Sequence, residues 1–317
     1  MIITGNSLNG NYVVVLDEKY MDLSIIIVNY KTSKQLTQCL ESITQNEVTY
    51  KYEVCVVDNN SADQSVYSVR SKFPDVNLII NKSNVGYGAA NNIGINSTCG
   101  RYILLLNPDT TIPKNALEEF VNYLEKHPDV GAVGPKIVRE DGSLDKACRR
   151  SFPTPKVAFY RLFGLYRLFP KRNLLKQYNL DYISPDIEME VDSLVGACMM
   201  FRRNILQLCD AFDERFYLYG EDIDLCYRIK KLGFKIIYFP GVTILHYKGM
   251  STKQNLSRAT IEFYRAMYLF HRKHYASDYF FVFNWLVYAG IFGLFCIEVI
   301  KNLVRSPLKR GVGSSTR

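Results

Sequence analysis

With 317 residues, 48% of them hydrophobic and 22% charged, the chain carries enough apolar material for one large core or two modest ones, which excludes wholesale disorder. Its net charge of +8 is unevenly placed: Lys146 to Lys176 contains nine Lys or Arg and no Asp or Glu, interleaved with Phe152, Phe159, Tyr160, Phe163, Tyr166 and Phe169, as befits anionic lipid or nucleic acid. The eight cysteines form no C-x-x-C pair and no cluster with histidine, which argues against a disulfide frame or a zinc site and for reduced, mostly buried thiols in a cytosolic protein.

Residues 1–20 read as an N-terminal extension, because Met21 stands immediately before the first strong strand and no basic region precedes a long apolar run. Leu23 to Val28 is a β-branched run too short for a helix and too apolar for a sheet edge, so it reads as a central strand ending at Asn29-Tyr30. Ser33 opens a helix with Leu36, Cys39, Leu40 and Ile43 on one face, and Tyr52 to Val57 is a second strand ending in Asp58-Asn59-Asn60-Ser61. Together they make a βαβ unit whose open end is lined by Asn29, Tyr30, Asp58 and Asn59. Asp58 there is either an Asx-turn residue or a hydrogen-bond partner for a base or ribose.

Val76 to Ile80 is a third strand, followed by Asn84, Gly86 and Gly88. A dinucleotide fingerprint is disfavoured, since its third glycine would fall at Asn91 and the glycines follow the third strand rather than the first. A helix starting near Gly88, its amide-rich mouth able to face a phosphate, describes the stretch better. Arg101 to Leu106 is a buried strand stopped by Asn107-Pro108-Asp109, because Pro108 cannot donate to a ladder. Asp109 is either the cap of a turn leading to the helix from Pro113, or a hard carboxylate at a sheet edge suited to Mg²⁺ or Mn²⁺ with phosphate oxygens. Ala116 to Leu124 is an amphipathic helix, Val130 to Val138 a bent strand, and Asp141-Gly142 a turn.

The basic segment 146–176 then interrupts the alternation. Lys156 to Phe169 is apolar nearly all round, with Arg161 and Arg167 projecting, which suits an interfacial helix or lid near a membrane, or a helix buried against the second half. Val191 to Phe201 is expected as a strand bent at Gly196. From Glu221 onward Ile223, Cys226, Ile229 and Leu232 recur at helical spacing and Gly233 closes the helix. Asp224 pairs with Arg228 at i,i+4, while Glu221 and Asp222 lie at the helix mouth, where acids either complement the helix dipole or point into a cleft. Lys235 to Phe239 is a strand, and Val242 to Leu245 leads to His246, followed by Tyr247-Lys248-Gly249. His246 is either packed or exposed, or a neutral imidazole completing a Mn²⁺ site beside Asp109 and a diphosphate. After the amphipathic helix Arg258 to His274, Tyr279 to Val299 is apolar for about a bilayer's span, interrupted by Asn284 and Glu298. Basic residues flank it on both sides, so a helix or hairpin lying in the inner leaflet is preferred to a crossing.

SIIIVNY at 24–30, VVDNNSAD at 56–63, NVGYGAANNIGI at 84–95, LLLNPDT at 104–110, the VGAVGPKI stretch around Gly131, VDSLVGACMMFRR at 191–203, FYLYGEDIDLCYRIKKLGF at 216–234 and ILHYKG at 244–249 stand in an order that resembles family 2 glycosyltransferases of the GT-A fold, in their bacterial rhamnosyltransferase-like branch. The resemblance covers about residues 21–275. It implies an α/β, Rossmann-like, mostly parallel central sheet flanked by helices over 21–255, with 256–317 as a C-terminal helical, membrane-associated extension carrying the apolar segment 279–299 and a basic tail. It further implies that Asp58 contacts the nucleotide base, that Asn29, Tyr30, Asn59, Asn84, Gly86 and Asn107 line the donor nucleotide, that Asp109 and His246 hold Mg²⁺ or Mn²⁺, that Asp222 is the catalytic base, and that Gly196 and Glu221 face the acceptor. Asn107 stands where many relatives carry the first Asp of a D-x-D motif, which makes the metal site less charged.

The implied reaction is an inverting transfer, with L-rhamnose from dTDP-rhamnose as the leading donor and a lipid-linked cell-surface glycan as acceptor, at the cytoplasmic face of a bacterial membrane and without nucleic acid. Such a transfer needs one base and a metal-neutralised leaving group, which agrees with one well-placed carboxylate rather than a close catalytic pair. The alternatives are a UDP- or GDP-sugar donor, a non-catalytic nucleotide-sugar-binding protein, and a nucleotidyltransferase, the last disfavoured because Asn29 to Ser33 contains no glycine.

Overall fold

The computed structural model describes residues 21–155, 178–247 and 256–308. The expected extension 1–20, most of the basic aromatic segment (156–177), Lys248-Gly249 and the tail beyond 308 lie outside the described residues. Strands β1 (Leu23–Asn29), β2 (Tyr52–Asp58), β3 (Asn77–Ile80) and β4 (Tyr102–Leu106) pair in parallel in the order β3-β2-β1-β4. Every residue of β1 and β4 is buried, which is why both read as unbroken apolar runs: a strand covered on both faces has no polar alternation to keep. Helix α1 (Ser33–Thr44) buries Leu36, Cys39, Leu40 and Ile43, the face expected of it. Beyond α2 (Ser65–Lys72), α3 (Tyr87–Asn96) packs so closely on β1 that a Cβ at Gly94 would come within 2.5 Å of Ile26 Cγ2.

The second half adds β5 (Thr110–Thr111), α4 (Ala116–Lys126), β6 (Val130–Val138), β7 (Met189–Glu190), β8 (Cys198–Arg202), α5 (Arg203–Leu208), α6 (Glu221–Lys231) and β9 (Lys235–His246). Among the described residues the sheet has nine strands. Its first half is parallel throughout; in the second, β8 runs antiparallel between β4 and β6, β9 lies parallel to β6, and β5 and β7 lie antiparallel on β9.

Two boundaries differ from expectation. Only Cys198–Arg202 of the expected strand Val191 to Phe201 joins the ladder as β8. Upstream of it the backbone is diverted, with Ser193 bridging Arg150 and the Gly196 N–H donating to the Asp222 carboxylate. Conversely, the two pieces expected around Pro240-Gly241 form one strand. Opposite β6 the register jumps from Pro135↔Phe239 to Lys136↔Thr243, because a proline cannot donate to the ladder there. The bend aims the last residues of β9 at β5, with His246 opposite Thr110.

Helix α7 (Leu256–His274) is tied to α6 where His274 Nε2 and Lys273 Nζ each lie 2.7 Å from Asp224 Oδ1. Asp224 is fully buried and also accepts from Arg228 Nε at 2.8 Å, so its structural reading holds and extends to the C-terminal helices. Helix α8 (Phe281–Leu308) is a single helix rather than a hairpin, and it buries Val287 and Ile291. Asn284, which interrupts the apolar run in sequence, closes the turn between the helices: its Nδ2 donates to the carbonyls of Ala276 (2.8 Å) and Tyr279 (3.1 Å), and its Oδ1 lies 2.8 Å from His271 Nε2. Phe281–Asn302, 22 residues, is long and apolar enough to cross a membrane by length and composition, with Phe281 81% and Trp285 66% exposed.

Candidate active site

The carboxyl ends of β1 and β2 form the first wall. Asp58 Oδ1 accepts from Asn29 Nδ2 (2.8 Å) and Ser61 Oγ (2.5 Å), and its Oδ2 from Ser61 N–H (3.0 Å), which makes an Asx turn. The turn leaves one lone-pair site on Oδ2. Asn29, wholly buried, also accepts from Thr32 Oγ1 at 2.7 Å. Asn59 holds the neighbouring loop: its Oδ1 accepts from Asn81 Nδ2 (3.1 Å) and Val85 N–H (3.0 Å), and its Nδ2 donates to Asn84 Oδ1 (2.9 Å) and the Gly86 carbonyl (3.1 Å). Asn84 Oδ1 accepts in addition from Tyr217 OH at 2.8 Å. Gly86 has φ +94°, and a Cβ on it would lie 2.6 Å from the Tyr217 carbonyl oxygen, so a side chain would push the loop off its seat. Asn29, Asn59, Asn84 and Gly86 therefore shape the rim by bonding one another, and Tyr30 stands half-buried beside them.

The second wall is the turn after β4. Asn107 N–H donates to the Ala197 carbonyl (2.9 Å), and its own carbonyl accepts from Thr110 N–H (3.2 Å) and Thr110 Oγ1 (2.7 Å), so Asn-Pro-Asp-Thr is a turn, as one reading expects. The same turn also brings Asp109 against the end of β9. The Asp109 carbonyl accepts from Tyr247 N–H at 2.8 Å, and Asp109 Oδ1 lies 3.2 Å from His246 Nε2, both residues being 6% exposed. Behind the ring, His246 Nδ1 is 3.6 Å from Oδ2 of the buried Asp145. Burial pulls the imidazole toward neutrality, but the Asp109 and Asp145 carboxylates outweigh it and push its pKa up to about 9.

Among the described residues no three His, Cys, Asp or Glu cluster into a closed metal cage. A two-ligand platform of carboxylate and imidazole, with the Asn107 Oδ1 buried and without a hydrogen-bond partner among the described residues, nevertheless fits an open site whose remaining positions go to phosphate oxygens and water.

The third wall is the mouth of α6. Asp222, 7% exposed, accepts at Oδ2 from Arg150 Nη2 (2.7 Å) and Gly196 N–H (3.2 Å), and at Oδ1 from Ile223 N–H (2.8 Å). Oδ2 is saturated, and Oδ1 keeps one open lone pair. Gly196 N–H thus holds Asp222 while the next residue's carbonyl, Ala197, holds Asn107. One dipeptide therefore joins the Asp109 turn to the start of α6, and the charges of Asp109 and Asp222 both act on Tyr87. Tyr87 lies between the walls, its OH donating to the Gly196 carbonyl at 2.7 Å. Burial raises the phenol's pKa, and the charges of Glu221, Asp222 and Asp109 raise it further, as expected where three acids surround one ring. Glu221, 6% exposed, has no partner for Oε2 among the described residues; burial first and the adjacent Asp222 second push its pKa up to about 8.

Arg150 and Asp145 belong to this site without having been singled out. Arg150 sits in a basic run that reads as a lipid-facing segment, and its partner Asp222 is 72 residues away, so no local spacing marks it. The adjacent Arg149 turns the other way, donating to the carbonyls of Ser184 (2.8 Å) and Ile183 (2.5 Å).

A family model described as glycosyltransferase like family 2 matches residues 21–265. The chain is 26% identical over 266 residues to the N-acetylglucosaminyl-diphospho-decaprenol L-rhamnosyltransferase of Mycobacterium tuberculosis, covering 78% of this chain and 83% of that one. It is 24% identical over 246 residues to the rhamnosyltransferase WbbL of Escherichia coli (strain K12), covering 74% and 87%. Among solved structures, GalNAc-T7 with UDP, GalNAc and Mn²⁺ superposes with a TM-score of 0.53 at 17% identity, over 73% of this chain and 44% of that one.

Proposed function

The chain belongs to glycosyltransferase family 2 and has its GT-A fold, and from that membership we propose that it transfers L-rhamnose, with inversion, from dTDP-rhamnose to a hydroxyl of a lipid-linked glycan. The observation that supports the reading is the Gly196-Ala197 link, which ties the turn bearing the Asp109–His246 pair to the backbone that holds the Asp222 carboxylate. Two relatives named as rhamnosyltransferases, one acting on a diphospho-decaprenol-linked sugar, support the choice of donor and acceptor.

Asp109 and His246 would hold Mg²⁺ or Mn²⁺, which when bound supplies positive charge to the departing diphosphate. Everything else falls to the chain's own groups. Asn59, Asn84 and Gly86 keep the nucleotide rim in shape, and Asp58 offers its open Oδ2 lone pair to the base. Asp222 Oδ1, the carboxylate oxygen with a free lone pair, takes the proton of the acceptor hydroxyl as that oxygen attacks the anomeric carbon from the face opposite the diphosphate. No second carboxylic acid is required, because a nucleoside diphosphate leaves without protonation.

A panel of nucleotide sugars tests the donor. With Mn²⁺ present, dTDP-rhamnose is expected to raise the melting temperature more than UDP- or GDP-sugars, since a ligand that binds only the native state stabilises it. A larger shift with a UDP-sugar would reassign the donor, and no shift with any would contradict the reading.

The apolar helix α8 supports a reading in which the protein attaches to the inner leaflet. Its Phe281, Trp285 and Phe292 are exposed, and Lys301 lies in its C-terminal part. Deleting residues 277–317 is expected to move the protein from the membrane pellet to the soluble fraction. Continued pelleting would transfer the role to the 146–176 segment.

A further inference from the structure

Two carboxyl groups, Glu221 and Asp222, are adjacent and both more than nine-tenths buried at the mouth of α6. Among the described residues they share one guanidinium, that of Arg150, and it is committed to Asp222: Nη2 lies 2.7 Å from Asp222 Oδ2 and also donates to Ser193 Oγ and the Leu194 carbonyl. Two neighbouring buried acids with a single cation do not both ionise, because the second negative charge would be left uncompensated in a low-dielectric site. Asp222 has three donors on its two oxygens, the arrangement of a carboxylate, whereas Glu221 Oε2 has none. An O–H on Glu221 would turn that orphaned atom into a donor in need of an acceptor.

We propose that Glu221 works as a neutral acid, donating a hydrogen bond to a sugar oxygen of the acceptor beside the hydroxyl that Asp222 deprotonates. The two acids then have opposite tasks, and Arg150 decides which is which. The proposal rests on Asp222 being the base and adds the role of its neighbour. The acceptor is the partner named because Glu221 adjoins the carboxylate that meets it, whereas the Asp109–His246 pair lies across the Gly196-Ala197 step. The charged and titratable groups around Glu221 are Asp222 and Asp224 on its own helix, Arg150 from the segment after β6, and Tyr87 from α3; Lys273 and His274 of α7 are engaged by Asp224.

Glu221→Gln copies the shape and hydrogen-bonding capacity of the neutral acid and cannot take up a charge, so it separates donor from base. With dTDP-rhamnose as donor and a synthetic GlcNAc-diphosphoryl-polyprenol as acceptor, Glu221→Gln is expected to lower kcat far less than Asp222→Asn does and to raise acceptor KM less than Glu221→Ala does. Glu221→Ala should raise acceptor KM by about tenfold or more, and donor affinity should stay unchanged in both. A loss in Glu221→Gln as deep as that in Asp222→Asn would make Glu221 a base and overturn the proposal while leaving the transferase reading intact.

A second arm needs no substrate. The folded protein holds the Glu221 proton up to about 8, against 4.5 for a free side chain, so it binds more protons than the unfolded chain across that window and loses stability as pH rises through it. The wild type should therefore melt progressively below Glu221→Gln as pH climbs from 4.5 toward 8, with the gap levelling off above. Parallel melting curves would overturn the proposal. If the wild type fails to turn over the chosen substrates, the donor or acceptor assignment has failed, and this arm still decides whether Glu221 is neutral.

Discussion

Asp222→Asn is expected to lower the rate of sugar transfer by about 10²–10⁴-fold, the usual contribution of a positioned general base, while donor affinity stays within several-fold. The amide oxygen of asparagine can still accept from Arg150 Nη2 or Gly196 N–H, the bonds made now by Asp222 Oδ2. The amide NH2 then stands in the place of Oδ1, so the variant loses the lone pair that takes the acceptor proton together with the bond from Ile223 N–H, and keeps the tie to Arg150 or Gly196. A base acts in the transition state, so the deficit belongs in kcat rather than in donor binding. Asp222→Ala is a harsher change, because it also leaves the buried Arg150 guanidinium without its carboxylate, and a lowered melting temperature should accompany its loss of activity. Donor calorimetry and a melting curve on both variants separate these effects. If Asp222→Asn transfers sugar at the wild-type rate, the base lies elsewhere.

What the sequence disclosed and what it concealed divide along sequence distance. The buried runs of β1 and β4, the apolar face of α1 and the glycine after α6 are local patterns of period or composition, and they reappear in the fold where they were expected. The acid at the end of β4 and the acids at the mouth of α6 were also legible, because strand ends and helix starts are marked by prolines, glycines and changes of polarity. The pairing of Asp109 with His246 was among the expected arrangements, whereas the route that brings them together and the partner of Asp222 were not. Thr110 meets His246 only because β9 bends at Pro240-Gly241, and Asp222 meets Arg150 across 72 residues. Asp58 and Asp109 show a second limit: each had been open to a turn or a ligand role, and the geometry allows both at once. The turn consumes some of the carboxylate lone pairs at Asp58 and only backbone groups at Asp109, so each side chain keeps acceptor capacity. Asn284 makes the same point for the C-terminal helices, where a polar residue that weakens an apolar run is the one that closes the turn.

The metal side should respond differently from the base side, and that contrast tests the division of labour. Asp109→Ala removes the carboxylate of the proposed two-ligand platform and leaves His246 Nε2 without its neighbour at 3.2 Å. Mn²⁺-dependent binding of a nucleoside diphosphate, followed by calorimetry or by the paramagnetic signal of free Mn²⁺, should fall by about 10²-fold or more, since each remaining protein ligand holds the cation poorly alone. Asp145→Asn tests the residue behind the imidazole. Metal-binding histidines are oriented by a partner on the second ring nitrogen, and losing such a partner costs about 10–100-fold in metal affinity. Asp145 Oδ2 lies 3.6 Å from Nδ1, close enough to act on the ring electrostatically, and the residue is buried. Asp145→Asn should weaken Mn²⁺ binding less than Asp109→Ala and leave metal-free nucleotide binding unchanged. Nucleotide binding that is equal with and without a chelator in the wild type would remove the cation from the site altogether. Equal effects of the two variants would instead move Asp145 from behind the ring into the coordination of the cation itself.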